Sequence, residues 1–405
     1  MRPAPLNLCC LMALLIGLYT SAGLASQQDT PEARLRARLH SQDALLIMGP
    51  TGDVLFSQHA ARPMVPASTL KIPTALFALE TLGATYRFPL KITVDKNRRL
   101  AIKGYGDPLL ISEVLTAYAK EAAQRLRDNG IKTISGVVVD GSWFGEIRVP
   151  GQTKSFEPYD AAIGAVIANF NTVNYRRTPE GHLESAEPQT PLLPFIKSRI
   201  PKEAPKGRIA LSYRESRLYA GHLFAWFLGQ HGIDVQGEVT EGPMPEAPTQ
   251  IDMELASPFV LSEAVNKLMT YSNNVMANQI FLASGAKQSG PPASLEKSCR
   301  AFETWAVNRG LASPTLTIVE GSGLSRENRI SAEAMARFLA AFTPWRHLLT
   351  RQKTLLFKTG TLAQVSTRAG FIETPKGLCR FVLFQNRKRA NAAPLLPLIE
   401  ALTAP

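Results

Sequence analysis

The stretch from Ile72 to Leu82 is apolar on almost every side, with Ala75, Leu76, Phe77, Ala78, Leu79 and Leu82 spread around the helical wheel and Gly83 closing it. A helix of that kind has no face to give to water. It belongs at the centre of a core, and the rest of the chain must be built around it. Directly before it stands Pro66-Ala67-Ser68-Thr69-Leu70-Lys71. If Ser68 opens the helix, Lys71 returns to the same face one turn later, within reach of the hydroxyl. A serine needs a neighbouring base to act as a nucleophile. A lysine serves as one only where burial or a second cation depresses its pKa, and the apolar surroundings suit that requirement. Pro73 predicts an irregular first turn. Taken alone, Ser-x-x-Lys is equally the pattern of a serine N-cap.

Two distant segments change the weight of this pair. Tyr271-Ser272-Asn273-Asn274 reads Ser-x-Asn, and Phe357-Lys358-Thr359-Gly360-Thr361 reads Lys-Thr-Gly inside a strand-like run. About 200 residues lie between Lys71 and Ser272, more than a single compact core needs at that point, which predicts an inserted domain.

With 405 residues, 45% of them hydrophobic, the chain can bury ample core. Arg2, the apolar run Leu8 to Ile16 and Gly23-Leu24-Ala25 read as an export leader over residues 1–25. An uncleaved N-terminal anchor is the other reading of that stretch, although it is short for a membrane span. Cys9 and Cys10 fall inside the leader, too poorly framed to suggest lipid attachment. The mature chain keeps Cys299 and Cys379, and a disulfide or two free thiols both remain open. The net charge of +12 suits an anionic polymer or surface in the periplasm or cell-wall space. The basic residues are scattered, with no aromatic-interleaved patch for nucleic acid. His40, His59, His182, His222, His231 and His347 are scattered too, with no ligand spacing, so neither a metal nor another cofactor is expected. Trp143, Trp226, Trp305 and Trp345 read as core residues.

Along the chain, Thr30-Pro31-Glu32 starts a helix, and Ala44 to Met48 and Val54 to Phe56 make a hairpin. Leu90 to Val94 and Leu100 to Lys103 make another. Two similar units follow, each a helix leading into a short strand: Ser112 to Asp128 into Gly136–Val139, and Ser216 to Gln230 into Gly237–Val239. Thr178 to Pro205 reads as loop, and Met244 to Pro248 as a linker back to the first domain. Helices then run from Ser262 as a cap, over Val275 to Ala283, over Ser294 to Asn308, and from Ser331 to Phe342. Strands at Leu355–Lys358, Ala369–Glu373 and Arg380–Phe384 and a helix over Ala392–Leu402 end the chain.

The ordered triple of Ser-x-x-Lys, Ser-x-Asn and Lys-Thr-Gly resembles that of the serine acyl-transferases that bind penicillin. Within them the chain is most similar to the class C low-molecular-mass penicillin-binding proteins, the D-alanyl-D-alanine carboxypeptidase/endopeptidase family. Gly104-Tyr105-Gly106-Asp107-Pro108, Glu157-Pro158-Tyr159, Ile163-Gly164-Ala165, Gly321-Ser322-Gly323-Leu324-Ser325-Arg326 and Lys358-Thr359-Gly360-Thr361-Leu362 with Ala369-Gly370 extend the likeness over nearly the whole mature chain. Glu320 departs from it, standing where the family usually has Asp; Asn273 is often Asp in relatives, and the insertion is shorter than in long members.

The resemblance implies an α/β (α+β) fold: a serine β-lactamase/DD-peptidase-like sheet with helices packed on it, from residues 26–84 and 256–405, plus a long inserted α+β domain over 85–255. It implies a serine-type D-Ala-D-Ala carboxypeptidase, with DD-endopeptidase action as a companion. The enzyme would act on peptidoglycan stem peptides through an acyl-enzyme, and β-lactams would acylate it. Ser68 would be the nucleophile and Lys71 its base. Ser272 would relay a proton, and Asn274 would hold Lys71 and the substrate amide. Lys358, Thr359 and the Gly360-Thr361 strand would bind substrate, with the N–H groups of Ser68 and Thr361 as oxyanion donors. One such donor typically lowers a barrier by about 3 kcal/mol. Arg326 is either a carboxylate ligand or a structural arginine. Two rivals fit the same motifs: a β-lactamase, and a catalytically weak protein that only binds the wall. The Gly-x-Ser-x-Gly elbow of α/β-hydrolases is not matched by Gly321-Ser322-Gly323-Leu324-Ser325.

Overall fold

Along Gly377–Asn386 the side chains alternate between two cores, with Phe381 and Leu383 on one side and Val382 and Phe384 on the other. A strand buried on both faces needs helices on both. In the computed structural model, which describes residues 30–403 apart from 154, 156, 247 and 248, it has them. The strand lies inside a six-stranded antiparallel sheet, in the spatial order Thr350–Gln352, Leu355–Leu362, Val365–Thr374, Gly377–Asn386, Ala44–Met48, Val54–Gln58. N-terminal and C-terminal strands share one sheet, as the sequence predicts. Helices Pro31–Arg38 and Leu396–Thr403 cover one face through Leu35 and Ile399. The other face meets the larger core around helix Lys71–Thr81, in which every residue from Lys71 to Leu79 is buried. Phe77 sits there among Phe281, Phe302 and Trp305, with ring centroids 5.3 to 6.0 Å away.

The segment between the first two motifs builds its own sheet, ordered Val239–Glu241, Gly136–Asp140, Arg99–Gly104, Pro89–Asp95, Thr249–Ala256. The two similar helix-to-strand units lie side by side in it. Val239–Glu241 pairs parallel with Gly136–Asp140, and the preceding helices Tyr213–Gln230 and Ser112–Asp128 pack over this sheet in a second core. We propose that the chain divides near residues 85 and 255, where one core gives way to the other. The joint is intimate: Phe144, Ile147, Ile163 and Ile167 of the inserted segment pack into the larger core. Within the inserted segment, Gly106 N donates to the Ala165 carbonyl at 2.9 Å, and Gly104 leaves no room for a Cβ beside the same oxygen.

Several local expectations change. Thr178 to Pro205 is not loop throughout: Leu183–Ser185 is a strand and Pro194–Lys197 a short helix. The chain does not return directly to the first sheet after Glu246, because Thr249–Ala256 first forms the edge of the second, with Ile251, Met253 and Leu255 inward. Ser262 is not a cap. The helix starts at Leu261, and the Glu263 carboxylate accepts from Val260 N. Trp305 is buried, but Trp226 is 41% exposed. Cys299 and Cys379 are free thiols in different cores. The leader, with Arg2, Cys9 and Cys10, lies outside the described residues. Among those described, no helix is long and apolar enough to cross a membrane.

Candidate active site

Ser68 does not open the α-helix. Ala67 adopts a left-handed φ of 48°, Ala67–Leu70 forms a 3-10 turn, and the α-helix begins at Lys71. Thr69 Oγ1 donates to the Pro66 carbonyl at 2.7 Å and ties the turn down. In a 3-10 turn residues i and i+3 eclipse one another, which brings Lys71 over Ser68 more directly than an α-turn would. Ser68 stays partly exposed while Lys71 is fully buried.

Lys71 Nζ lies 2.8 Å from each of three oxygens: Ser68 Oγ, Asn274 Oδ1 and the Ser322 carbonyl. Asn274 arrives because helix Leu261–Tyr271 ends in a left-handed Ser272, φ 55°, and Asn273 caps the next helix by accepting from Met276 N at 3.1 Å. The Ser322 carbonyl is held by a turn that sequence reasoning gave no role beside Lys71. There the buried Glu320 carboxylate accepts from Ser322 N and Oγ, Gly323 N, Ser325 N, and the side-chain amides of Asn278 and Asn328, at 2.6 to 3.2 Å. Thr74 Oγ1 donates to the Gly321 carbonyl at 2.7 Å and fastens the turn to the Lys71 helix.

Strand Leu355–Leu362 brings the Lys-Thr-Gly segment against the same turn. A Cβ at Gly360 would stand 2.9 Å from Ser68 N and 2.2 Å from Thr367 Oγ1, so only glycine lets the strand come this close. Thr367 Oγ1 donates to the Pro66 carbonyl at 2.7 Å. Gly323, with φ 83°, approaches from the other side, where a Cβ would stand 1.9 Å from the Ala67 carbonyl oxygen. Lys358 is buried beneath the strand, and Thr359 and Thr361 are exposed. Arg326 is not drawn in toward Ser68: its guanidinium donates to the Ala363 carbonyl, just beyond the strand's end. Ser272 Oγ has no hydrogen-bond partner among the described residues.

Burial holds the Lys71 amine well below the ordinary lysine value, and the positive charge of Lys358 pushes the same way against the opposing pull of Glu320. Burial, then the nearby Arg368, lowers Lys358 to about 8. A neutral Lys71 has two N–H bonds and one lone pair. Asn274 Oδ1 and the Ser322 carbonyl can only accept, so they take the two N–H bonds, and the lone pair is left for the Ser68 hydroxyl proton. The arrangement can therefore withdraw a proton from a reachable serine.

A helix-flanked antiparallel sheet carrying this serine–lysine contact defines a serine acyl-transferase of the DD-peptidase and β-lactamase class. Comparison with known proteins narrows it. The chain belongs to the D-Ala-D-Ala carboxypeptidase 3 (S13) family, whose profile matches residues 40–194 and 194–356. It is similar to a D-alanyl-D-alanine carboxypeptidase of Actinomadura sp. (strain R39), 27% identical over 85% of this chain and 77% of the relative. Its fold matches penicillin-binding protein 4 (DacB) of Haemophilus influenzae at a TM-score of 0.75, with 19% identity over 91% of this chain and 98% of that one. It also matches a predatory endopeptidase of Bdellovibrio bacteriovorus at 0.54, with 15% identity over 89% and 92%. The chain is accordingly a serine-type D-Ala-D-Ala carboxypeptidase.

Proposed function

We propose that Ser68 carries the reaction, attacking the carbonyl of the penultimate D-Ala of a peptidoglycan stem peptide to form an ester. The observation that carries this reading is the 2.8 Å contact between Ser68 Oγ and a buried lysine amine held below its ordinary pKa. Lys71 takes the serine proton, and Ser272 passes a proton to the leaving amine. Asn274 keeps Lys71 oriented, while the N–H groups of Ser68 and Thr361 receive the developing oxyanion. Lys358, as an ammonium, and Thr359 hold the terminal carboxylate, and the strand at Gly360 and Thr361 lines the acyl chain. Arg326, braced on Ala363, marks the far end of that strand and is read as a further carboxylate contact. Water then releases the acyl group. The same steps cut a cross-link when the leaving amine belongs to a second stem peptide, which makes DD-endopeptidase action part of the proposal. Export to the periplasm or cell-wall space, directed by residues 1–25, is where such a substrate is met.

The test is labelling of the mature protein with a fluorescent penicillin and mapping of the adduct by mass spectrometry, followed by assay of D-Ala release from a stem pentapeptide. A stable adduct on Ser68, absent in Ser68→Ala, is expected. A folded protein that forms no adduct and leaves the antibiotic intact would overturn the assignment of Ser68. Rapid loss of the antibiotic would identify a β-lactamase instead.

A further inference from the structure

In the inserted segment Arg99–Gly104, Gly136–Asp140 and Val239–Glu241 are three neighbouring parallel strands. Outside the carboxyl ends of such strands an open sheet leaves a crevice, and ligands of α/β proteins bind there. Here the crevice is a cavity of about 420 Å³, within the size range of small-molecule sites. One wall is made by the strand ends, Asp140-Gly141-Ser142 and Glu241-Gly242-Pro243. Another is made by the first turns of helix Tyr213–Gln230, through Tyr213, Ser216 and Arg217. Buried Val166, Ile167 and Asn171 line its floor. No residue of the three sequence motifs lines it.

Part of the lining lacks side chains without a steric reason. A Cβ at Gly104 or Gly360 would strike its neighbours. At Gly141 it would meet nothing within 4 Å, and at Gly145, Gly164 and Gly242 its nearest contacts would be ordinary ones, at 3.5, 3.6 and 3.5 Å. None of these four has a left-handed φ. What they share is the open space they border. The charged groups around that space are already paired. Asp140 lies 3.1 Å from Lys103, Glu146 lies 2.6 Å from Arg148, and Glu241 is bonded to Arg217. A charged occupant would have to break one of these pairs, so the cavity suits a neutral one. One polar atom is left over. Asn171 is 1% exposed, and its Nδ2 donates to the Ala162 carbonyl at 3.0 Å, while its Oδ1 has no partner among the described residues. A buried acceptor of this kind is costly to leave unsatisfied, and an N–H on the occupant would satisfy it. Asn171 is also held at a φ of 50°, the last of three successive left-handed residues, and strain maintained in this way is found at ligand clamps.

We propose that this cavity binds an N-acetylated amino sugar of the glycan strand that bears the stem peptides. Such a sugar is neutral. Its acetamide supplies an N–H for Asn171 Oδ1 and a methyl group for Val166 and Ile167. Its hydroxyls find Ser142 and Glu241 at the exposed rim, and its apolar ring face finds Tyr213. A stem-peptide amide also offers an N–H, but the peptide carries free carboxylates, for which the cavity has no unpaired cation. The assignment rests on the reading of peptidoglycan as the substrate and is independent of which residue attacks it. A sugar held in the inserted segment keeps the enzyme on the polymer and raises the local concentration of attached stem peptides.

The experiment titrates the mature protein by calorimetry with a tetrasaccharide of N-acetylglucosamine, and with a glucose tetrasaccharide and an N-acetylated dipeptide amide for comparison. The expected result is saturable binding of the N-acetylated sugar, about tenfold or more tighter than that of the other two. Gly141→Leu, which puts a side chain at the cavity's edge, and Tyr213→Ala are each expected to weaken it about tenfold. Penicillin acylation and hydrolysis of a soluble pentapeptide stay within twofold of the parent protein, while D-Ala release from intact peptidoglycan falls with the binding. Trp226→Ala, at an exposed indole elsewhere on the inserted segment, leaves binding unchanged. In the parent protein, amide resonance shifts on adding the tetrasaccharide place the sugar without any variant, and are expected at Gly141, Gly164 and Gly242. No saturable binding at millimolar sugar, equal binding of the three probes, or shifts only outside the cavity would overturn the assignment. So would loss of binding in Trp226→Ala with retention in both cavity variants. Sugar binding by a protein that forms no Ser68 adduct would leave the cavity assigned and remove the reading of Ser68; an adduct on Ser68 without sugar binding would do the reverse.

Discussion

At Lys71 a single nitrogen links three separate pieces of chain, and its protonation state decides what the adjacent serine can do. Replacing it with Met keeps most of the buried volume but removes the proposed base. Penicillin acylation of Lys71→Met is expected to be about 10³-fold slower, with the thermal transition retained; an unchanged rate would assign the proton to another group. Lys358 is expected to set the alkaline limb of the pH profile. Its pKa of about 8 leaves it an ammonium at neutral pH and an amine in alkali. The proposed carboxylate contact is therefore expected below pH 8 and lost above it. In the free enzyme kcat/KM is expected to fall as pH rises through that value, and a flat profile to pH 10 would exclude Lys358 as the carboxylate ligand. Glu320 acts at one remove, since its carboxylate organises the turn whose Ser322 carbonyl bonds Lys71. Glu320→Gln turns one acceptor into an N–H among six donor contacts. It is expected to cost about 3 kcal/mol in urea unfolding and to slow acylation more than it changes penicillin affinity.

Two elements, the 3-10 turn at Ser68 and the Lys-Thr-Gly strand, meet through the missing side chain of Gly360. Gly360→Ala pushes them apart by the width of a methyl group, and a displacement on that scale can cost about 10²-fold in rate. Slower penicillin acylation with an unaltered Ser68–Lys71 pair is the expected outcome, measured by stopped flow. This is also where the reading of the sequence reached its limit. Lys71–Thr81, the helix that follows Ser272-Asn273-Asn274 and the Lys-Thr-Gly strand are legible because apolar patterning is written in side chains. The Ser322 contact is not, because a main-chain carbonyl has no signature of its own, and Gly321-Ser322-Gly323 shows only that a tight turn is wanted. The 3-10 geometry of Ala67–Leu70 depends on a left-handed Ala67 that the residue type disfavours and the surrounding contacts impose. Strand Thr249–Ala256 does carry a period of two, in Ile251, Met253 and Leu255, but with Asp252 and Glu254 between them three apolar residues are too few to mark it beside the linker at Met244–Pro248.

Across the whole molecule the two cores interlock, since Phe144, Ile147, Ile163 and Ile167 leave the inserted segment to pack in the larger one. A single cooperative transition in calorimetry is the expected behaviour, and two resolved transitions would show that the joint contributes little. The cavity at the ends of the parallel strands draws its lining from separate stretches of the inserted segment, which is why no local motif announces it. The order of the parts along the chain has a consequence in time. Ser68 and Lys71 are synthesised early, yet the two oxygens that hold Lys71 lie 203 and 251 residues further on, and Ala44–Met48, paired early with Val54–Gln58, gains its second sheet neighbour only when Gly377–Asn386 has emerged. With Ser68 as the proposed nucleophile, a nascent chain carries its serine through synthesis without the means to react, and an antibiotic present throughout is expected to trap only finished molecules.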